Sequence, residues 1–181
     1  MNYLKVRRVV FAALLAALAC AATFIKIPVP SMTNGYVNLG DCFVLLAGFL
    51  LGPLYGGLAG GVGSALTDVL SGYALYAPAT LVIKFIMAAV TALIARNLKQ
   101  RFHIVLSYSI AAIVGELIMI GGYFAYELVL YGTSAIGSIP GNTVQAVAGA
   151  VSSIIIILIL EKNSYIKKLL GNLQKDRKFH V

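Results

Sequence analysis

The chain has 181 residues, 60% of them hydrophobic and only 11% charged, with a mean hydropathy of +0.93. A soluble domain carries about a quarter charged residues, so a water-soluble globular protein is excluded. The net charge of +8 does not indicate nucleic acid, because twelve of the fourteen Lys and Arg fall in three clusters. These are Lys5, Arg7 and Arg8; Arg96, Lys99 and Arg101; and Lys162, Lys167, Lys168, Lys175, Arg177 and Lys178. The positive-inside rule places such clusters in the cytoplasm. Contact of the basic tail with anionic lipid is a secondary role.

The apolar residues form runs near the roughly 20 residues needed to cross a bilayer. The expectation is an all-α integral membrane protein, a single domain over 1–181 with six transmembrane helices. The first span covers about 9–25. Its basic start and Ala17-Leu18-Ala19-Cys20 resemble a signal or lipoprotein segment, but further spans follow, so it reads as an uncleaved helix. Ala13, Ala17 and Ala21 share one face, where small residues permit close helix approach. That face serves either packing within the protein or docking to a separate membrane subunit. Ile27-Pro28-Val29-Pro30 then breaks the helix, and a loop runs to Val37.

The second span covers about 39–51 and stops at Gly52-Pro53; the third covers about 54–70 and stops at Ser71-Gly72. The third has Gly56, Gly60 and Ser64 on one face and Gly57, Gly61 and Ala65 on another, the pattern of a helix gripped between neighbours. Pro78 suits the first turn of the fourth span, about 79–95. The fifth covers about 104–128, the sixth about 143–160, and a basic cytoplasmic tail follows over 161–181. An even number of spans puts both termini and the 96–101 loop on one side, in agreement with the charge clusters. No internal repeat supports an inverted-repeat carrier.

Ionisable groups inside apolar segments are costly and mark function by default. Here they are Asp41, Asp68, Lys84, Glu116 and Glu127, and they gather in the outer half. At 1.5 Å per residue, Lys84 is roughly 9 Å below the outer start of its helix and Glu116 roughly 20 Å from the cytoplasmic end. Asn38 and Asp41 open the second span, and Asn142 and Gln145 open the sixth. Glu116, Tyr123 and Glu127 share a helical face, as do Thr80, Lys84 and Thr91, and Asn142, Gln145, Gly149 and Ser152. The expected geometry is a ligand pocket open to the outside and closed below. Its residues are Asn38, Asp41, Tyr73, Tyr76, Lys84, Glu116, Tyr123, Glu127, Asn142 and Gln145.

Structural roles compete with this reading. Lys84 and Glu116 also suit mutual neutralisation. Asp68 suits a cap on the Ser71-Gly72 turn, and Asp41 a helix-dipole partner. Tyrosines 36, 73, 76, 123, 126 and 131 form an interfacial belt or a stacking surface.

Cys20 and Cys42 form no CxxC, and His103 and His180 lie in polar stretches, so neither metal nor disulfide is implied. The chain lacks the phosphate-binding glycine loop, HExxH and GxSxG, so it reads as a non-enzyme without a cofactor.

These residues carry a resemblance. Tyr36-Val37-Asn38-Leu39-Gly40-Asp41, Leu51-Gly52-Pro53, Gly60-Gly61-Val62-Gly63-Ser64-Ala65-Leu66-Thr67-Asp68, Ser71-Gly72-Tyr73 and Tyr76-Ala77-Pro78-Ala79-Thr80 look like one branch of a transporter family. The chain resembles the substrate-binding S components of energy-coupling factor (ECF) vitamin transporters, in the riboflavin, pyridoxine and hydroxymethylpyrimidine-type branch. The likeness covers nearly the whole length. It implies a prokaryotic plasma-membrane protein that captures a small water-soluble vitamin outside. It implies docking to a transmembrane T component through the Ala13, Ala17 and Ala21 face, toppling, and release inside. Two cytoplasmic ATPases would power the cycle. A pyridoxine-like or hydroxymethylpyrimidine-like ligand is the first choice and riboflavin the second. The competing class is a stand-alone proton-coupled carrier with Glu116 and Lys84 as its relay.

Overall fold

A computed structural model describes residues 3–25, 27–28, 36–164, 166 and 168. The helices are α1 (Tyr3–Phe24), α2 (Gly40–Leu70), α3 (Ala77–Leu98), α4 (Ile104–Tyr131) and α5 (Ile139–Lys162). A 3-10 helix, Gly132–Ser138, joins α4 to α5. Two short strands, β1 (Ile27–Pro28) and β2 (Tyr36–Val37), pair antiparallel, with Ile27 opposite Val37. The sequence reading had only a loop here; two residues per strand leave no periodic signal. Lys26, residues 29–35 and most of the basic tail lie outside the described residues.

The expected second and third spans are one helical path without a connecting loop. At Gly52 the backbone takes φ 78° and ψ −169°, a conformation essentially reserved for glycine. Pro53 follows, where its missing N–H costs little because a new helical arm begins. The two arms of α2 then pack against each other in antiparallel fashion. A Cβ on Gly56 would lie 2.5 Å from the carbonyl oxygen of Ala47, and one on Gly60 would lie 2.9 Å from Val44.

The second arm is gripped on its other sides too. Gly57 and Gly61 lie against Phe85 and the Leu81 carbonyl of α3, and Gly63 lies against Ala16 of α1. The hydroxyl of Thr67 donates to the carbonyl of Cys20, also on α1. The glycine faces therefore serve internal packing, as their spacing implied. The remaining face carries Leu54, Leu58, Val62 and Leu66 at four-residue spacing, all exposed.

The other helices differ from expectation mainly at their ends. α1 starts at Tyr3, so Lys5, Arg7 and Arg8 lie on the helix itself. Pro78 sits in the first turn of α3, as expected. α5 begins at Ile139, upstream of the expected Thr143, because Pro140 is itself a favourable first-turn residue. α5 stops at Lys162, with Asn163 in an extended conformation.

Leu45, Met87, Met119 and Ile157 are fully buried and bring α2, α3, α4 and α5 to one core. Ridges such as Val144, Val147, Val151, Ile155 and Ile159 stay exposed. Among the described residues, four helical stretches are long and apolar enough to cross a membrane: 5–24, 40–70, 77–98 and 104–162, the last including the 3-10 helix. Apolar surface on this scale fits lipid better than water.

Candidate functional site

Polar side chains collect at the end of the bundle opposite the 99–103 turn. Asp41 lies in the first turn of α2, Lys84 two turns into α3, and Gln145 two turns into α5. Each helix brings its polar residue to this level because the apolar residues around it face core or lipid.

The side chains form one continuous network. The Asn38 side-chain carbonyl accepts from the Gly40 amide at 2.8 Å, which shapes the entry to α2. Asn38 donates from Nδ2 to Gln145 Oε1 at 2.9 Å, and its backbone N–H donates to the same oxygen at 3.2 Å. Gln145 Nε2 donates to Asp41 Oδ2 at 2.7 Å. Asp41 Oδ1 accepts from the Lys84 ammonium, so both oxygens of Asp41 are engaged. Lys84 Nζ lies 5.3 Å from the Tyr123 ring centroid, and the Tyr123 hydroxyl donates to Thr80 at 3.0 Å. Asn38, Asp41, Lys84 and Gln145 are each at most 7% exposed.

Glu116 borders this network but does not join it. It is 3% exposed, and neither carboxyl oxygen has a hydrogen-bond partner among the described residues. Gly149 of α5 lies directly against it: a Cβ there would be 2.6 Å from Glu116 Oε1 and 2.8 Å from Asp41 Cβ. Mutual neutralisation of Lys84 and Glu116 is thereby corrected, since the lysine hydrogen-bonds Asp41. Asp41 does lie in the first turn of α2, where the dipole reading put it, and its carboxylate also binds Lys84 and Gln145.

A second cluster ties the 71–76 turn to the end of α4. Tyr76 donates to Glu127 at 3.4 Å and stacks edge-on against Tyr126, with ring centroids 5.6 Å apart. The Tyr126 hydroxyl donates to the Leu75 carbonyl at 2.6 Å. Burial, a hydrogen bond with Tyr131 and the nearby Glu127 carboxylate hold the Tyr76 phenol above its usual range. It therefore stays a neutral donor. Tyr73 is exposed in this turn, and Asn142 is half-buried in the first turn of α5. The Tyr73 carbonyl accepts from the Tyr76 amide at 2.8 Å, which ties it to this turn. At the turn itself, the main-chain carbonyl of Asp68 accepts from the Tyr73 amide at 2.8 Å.

Sequence reasoning missed two features. Gly149 was read only as part of a polar stripe, although its missing Cβ is what lets α5 approach Glu116 and Asp41 so closely. At the opposite end, Lys99 Nζ lies 2.7 Å from the Tyr108 hydroxyl and 2.5 Å from Glu161, and Tyr108 also donates to Glu161. Glu161 lies more than fifty residues from the other two, and no local pattern links it to them. On α1, Ala13, Ala17 and Ala21 are exposed, whereas Leu15, Ala19 and Ala22 are buried. Among the described residues, nothing packs over the alanine face.

A family model described as ECF-type riboflavin transporter, S component, matches residues 3–162. The chain belongs to this S-component family. A Pyrococcus woesei protein described as "Uncharacterized protein in gap 3'region" is 37% identical over 136 residues, covering 75% of this chain and 88% of that protein. A solved structure described as "Structure and mechanism of the S component of a bacterial ECF transporter" superposes with a TM-score of 0.66 at 23% identity. The match covers 87% of this chain and 97% of the other, and it bears on the fold. S components are the membrane-embedded, substrate-binding subunits of ECF transporters, not a class of enzymes.

Proposed function

We propose that this S component captures a small water-soluble vitamin or precursor outside a prokaryotic cell and delivers it inside. Pyridoxine-like or hydroxymethylpyrimidine-like compounds are the first choice. The observation that carries the reading is the buried network of Asn38, Gln145, Asp41 and Lys84, with Glu116 beside it. It draws hydrogen-bonding groups from the start of α2 and from α3, α4 and α5 to one end of the bundle. Buried ionisable groups at membrane depth mark function by default. A small heteroaromatic ring with hydroxyls suits this mixture of one ammonium, carboxylates, amides and Tyr123.

In this reading each arm of α2 crosses the membrane, which makes six crossings and leaves both termini in the cytoplasm. The ligand site then opens outward. The exposed face of Ala13, Ala17 and Ala21 docks on a T component, since small residues allow two backbones to approach closely. Toppling on that partner, driven by two ATPase subunits, carries the ligand inward. Riboflavin is the second reading, favoured by the description of the matching family model.

Mass spectrometry of small molecules retained through purification tests the substrate. A retained vitamin that is displaced by excess pyridoxine or hydroxymethylpyrimidine supports the first choice. Retained riboflavin supports the second. Uptake by the chain alone, in vesicles without T component or ATPases, would instead mark a stand-alone carrier.

A further inference from the structure

We infer that the ligand carries a cationic, N–H-bearing nitrogen group and that Glu116 is the carboxylate that receives it. The inference rests on the vitamin-capture reading and narrows its substrate class.

Among the described residues, Asp41, Glu116 and Glu127 are buried at this end with one ammonium, Lys84. Lys84 is engaged by Asp41, and the second oxygen of Asp41 is taken by Gln145. Glu116 therefore keeps two buried acceptor oxygens without a donor among the described residues. Leaving such a group unmet is costly, and more so as an anion.

Among the described residues, the surroundings of Glu116 supply no further cation. α2 brings Asp41 and the Cys42 thiol toward it, and α3 brings Lys84. Its own helix carries Tyr123 on the same face. The adjacent stretch of α5 carries Gln145, Gly149 and Ser152, none of them charged. With no Cβ at Gly149, the backbone of α5 packs directly against the carboxyl, where a side chain would collide with it. The ring of Tyr123, which already faces the Lys84 ammonium, is a surface that also accepts a ligand cation.

An anionic ligand would place further negative charge beside the Asp41 and Glu116 carboxyls. A neutral ring that presents mainly acceptors would leave the Glu116 oxygens unmet. A protonated pyridine, aminopyrimidine or primary amine offers what is lacking: positive charge and N–H donors, in a charge-assisted hydrogen bond.

Titration calorimetry on the purified full chain tests this with pyridoxamine, hydroxymethylpyrimidine, riboflavin and pantothenate. The expected result is tightest binding of pyridoxamine or hydroxymethylpyrimidine. Glu116→Gln should weaken that binding at least about tenfold, the scale of one charge-assisted hydrogen bond. Gly149→Ala, which presses on the same carboxyl, should weaken it as well. Glu161→Gln, at the opposite end, should leave it unchanged. Glu116→Gln removes a buried charge with little change of shape, so its melting temperature should not fall, and a loss of binding then reports on the site. Tightest binding of riboflavin or pantothenate, unaffected by Glu116→Gln, overturns the inference but leaves vitamin capture standing. If none of the four binds the wild-type chain and no small molecule copurifies with it, vitamin capture itself falls, and this inference with it.

Discussion

Lys84 on α3 and Asp41 in the first turn of α2 form an ion pair whose side chains are 5% and 1% exposed. The pair joins helices 43 residues apart and is continued by Gln145 into α5. Removing one partner strands the other charge in the interior, at about 3–5 kcal/mol. Lys84→Met should therefore destabilise the chain by about that much, and adding Asp41→Asn should recover a large part. Thermal unfolding of the four variants of this double-mutant cycle measures the coupling. Strictly additive losses would mean that the pair does not act as a unit. Lys84→Ala should also weaken ligand binding by at least about 1.5 kcal/mol if the pair belongs to the site.

Gly52 is where α2 reverses, and its φ of 78° is unfavourable for any side chain. Gly52→Ala should lower stability by about 1–3 kcal/mol while leaving helix content nearly constant. Circular dichroism and a detergent melting curve report the two separately. A melting temperature equal to wild type would show that the reversal tolerates a Cβ.

Topology is testable through the turns. In a background lacking Cys20 and Cys42, Ala74→Cys should react with an impermeant thiol reagent applied to intact cells. Gln100→Cys, in the turn rich in basic residues, should react only after lysis. Reaction of both in intact cells would rule out the proposed orientation.

The exposed alanine face of α1 separates binding from transport. Ala17→Trp should abolish ATP-dependent uptake in vesicles containing the partner subunits, because a bulky residue prevents close backbone approach. Ligand binding by the isolated chain should persist, since the Asp41–Lys84–Gln145 network lies on other helices. Unchanged uptake, or unfolding of the isolated variant, would move the docking surface elsewhere.

Much of this molecule was legible in one dimension. Long apolar runs specify helices because a backbone in lipid must satisfy its own hydrogen bonds. Gly52-Pro53, Ser71-Gly72 and Pro78 mark real breaks and starts, since glycine permits and proline imposes particular dihedral angles. Rise per residue turns sequence position into depth, so Asn38, Asp41, Lys84 and Gln145 were assigned to one end before any contact was known. Helical spacing also identified the small faces of the second arm of α2.

Depth does not decide which residues meet. That depends on how each helix is rotated and how closely it approaches its neighbours, which close packing over the whole bundle determines. The sequence reading paired Lys84 with Glu116, and only the assembled bundle directed it to Asp41. The same packing left Glu116 without a donor among the described residues, set Gly149 against its carboxyl, and kept Ala17 on the surface. The sequence by itself determined the helices, their breaks and the level of each polar group, because these follow from local dihedral preferences and burial in lipid. Tertiary structure alone decided the pairings and the unmet carboxyl, because they arise from contacts between segments that no local pattern connects.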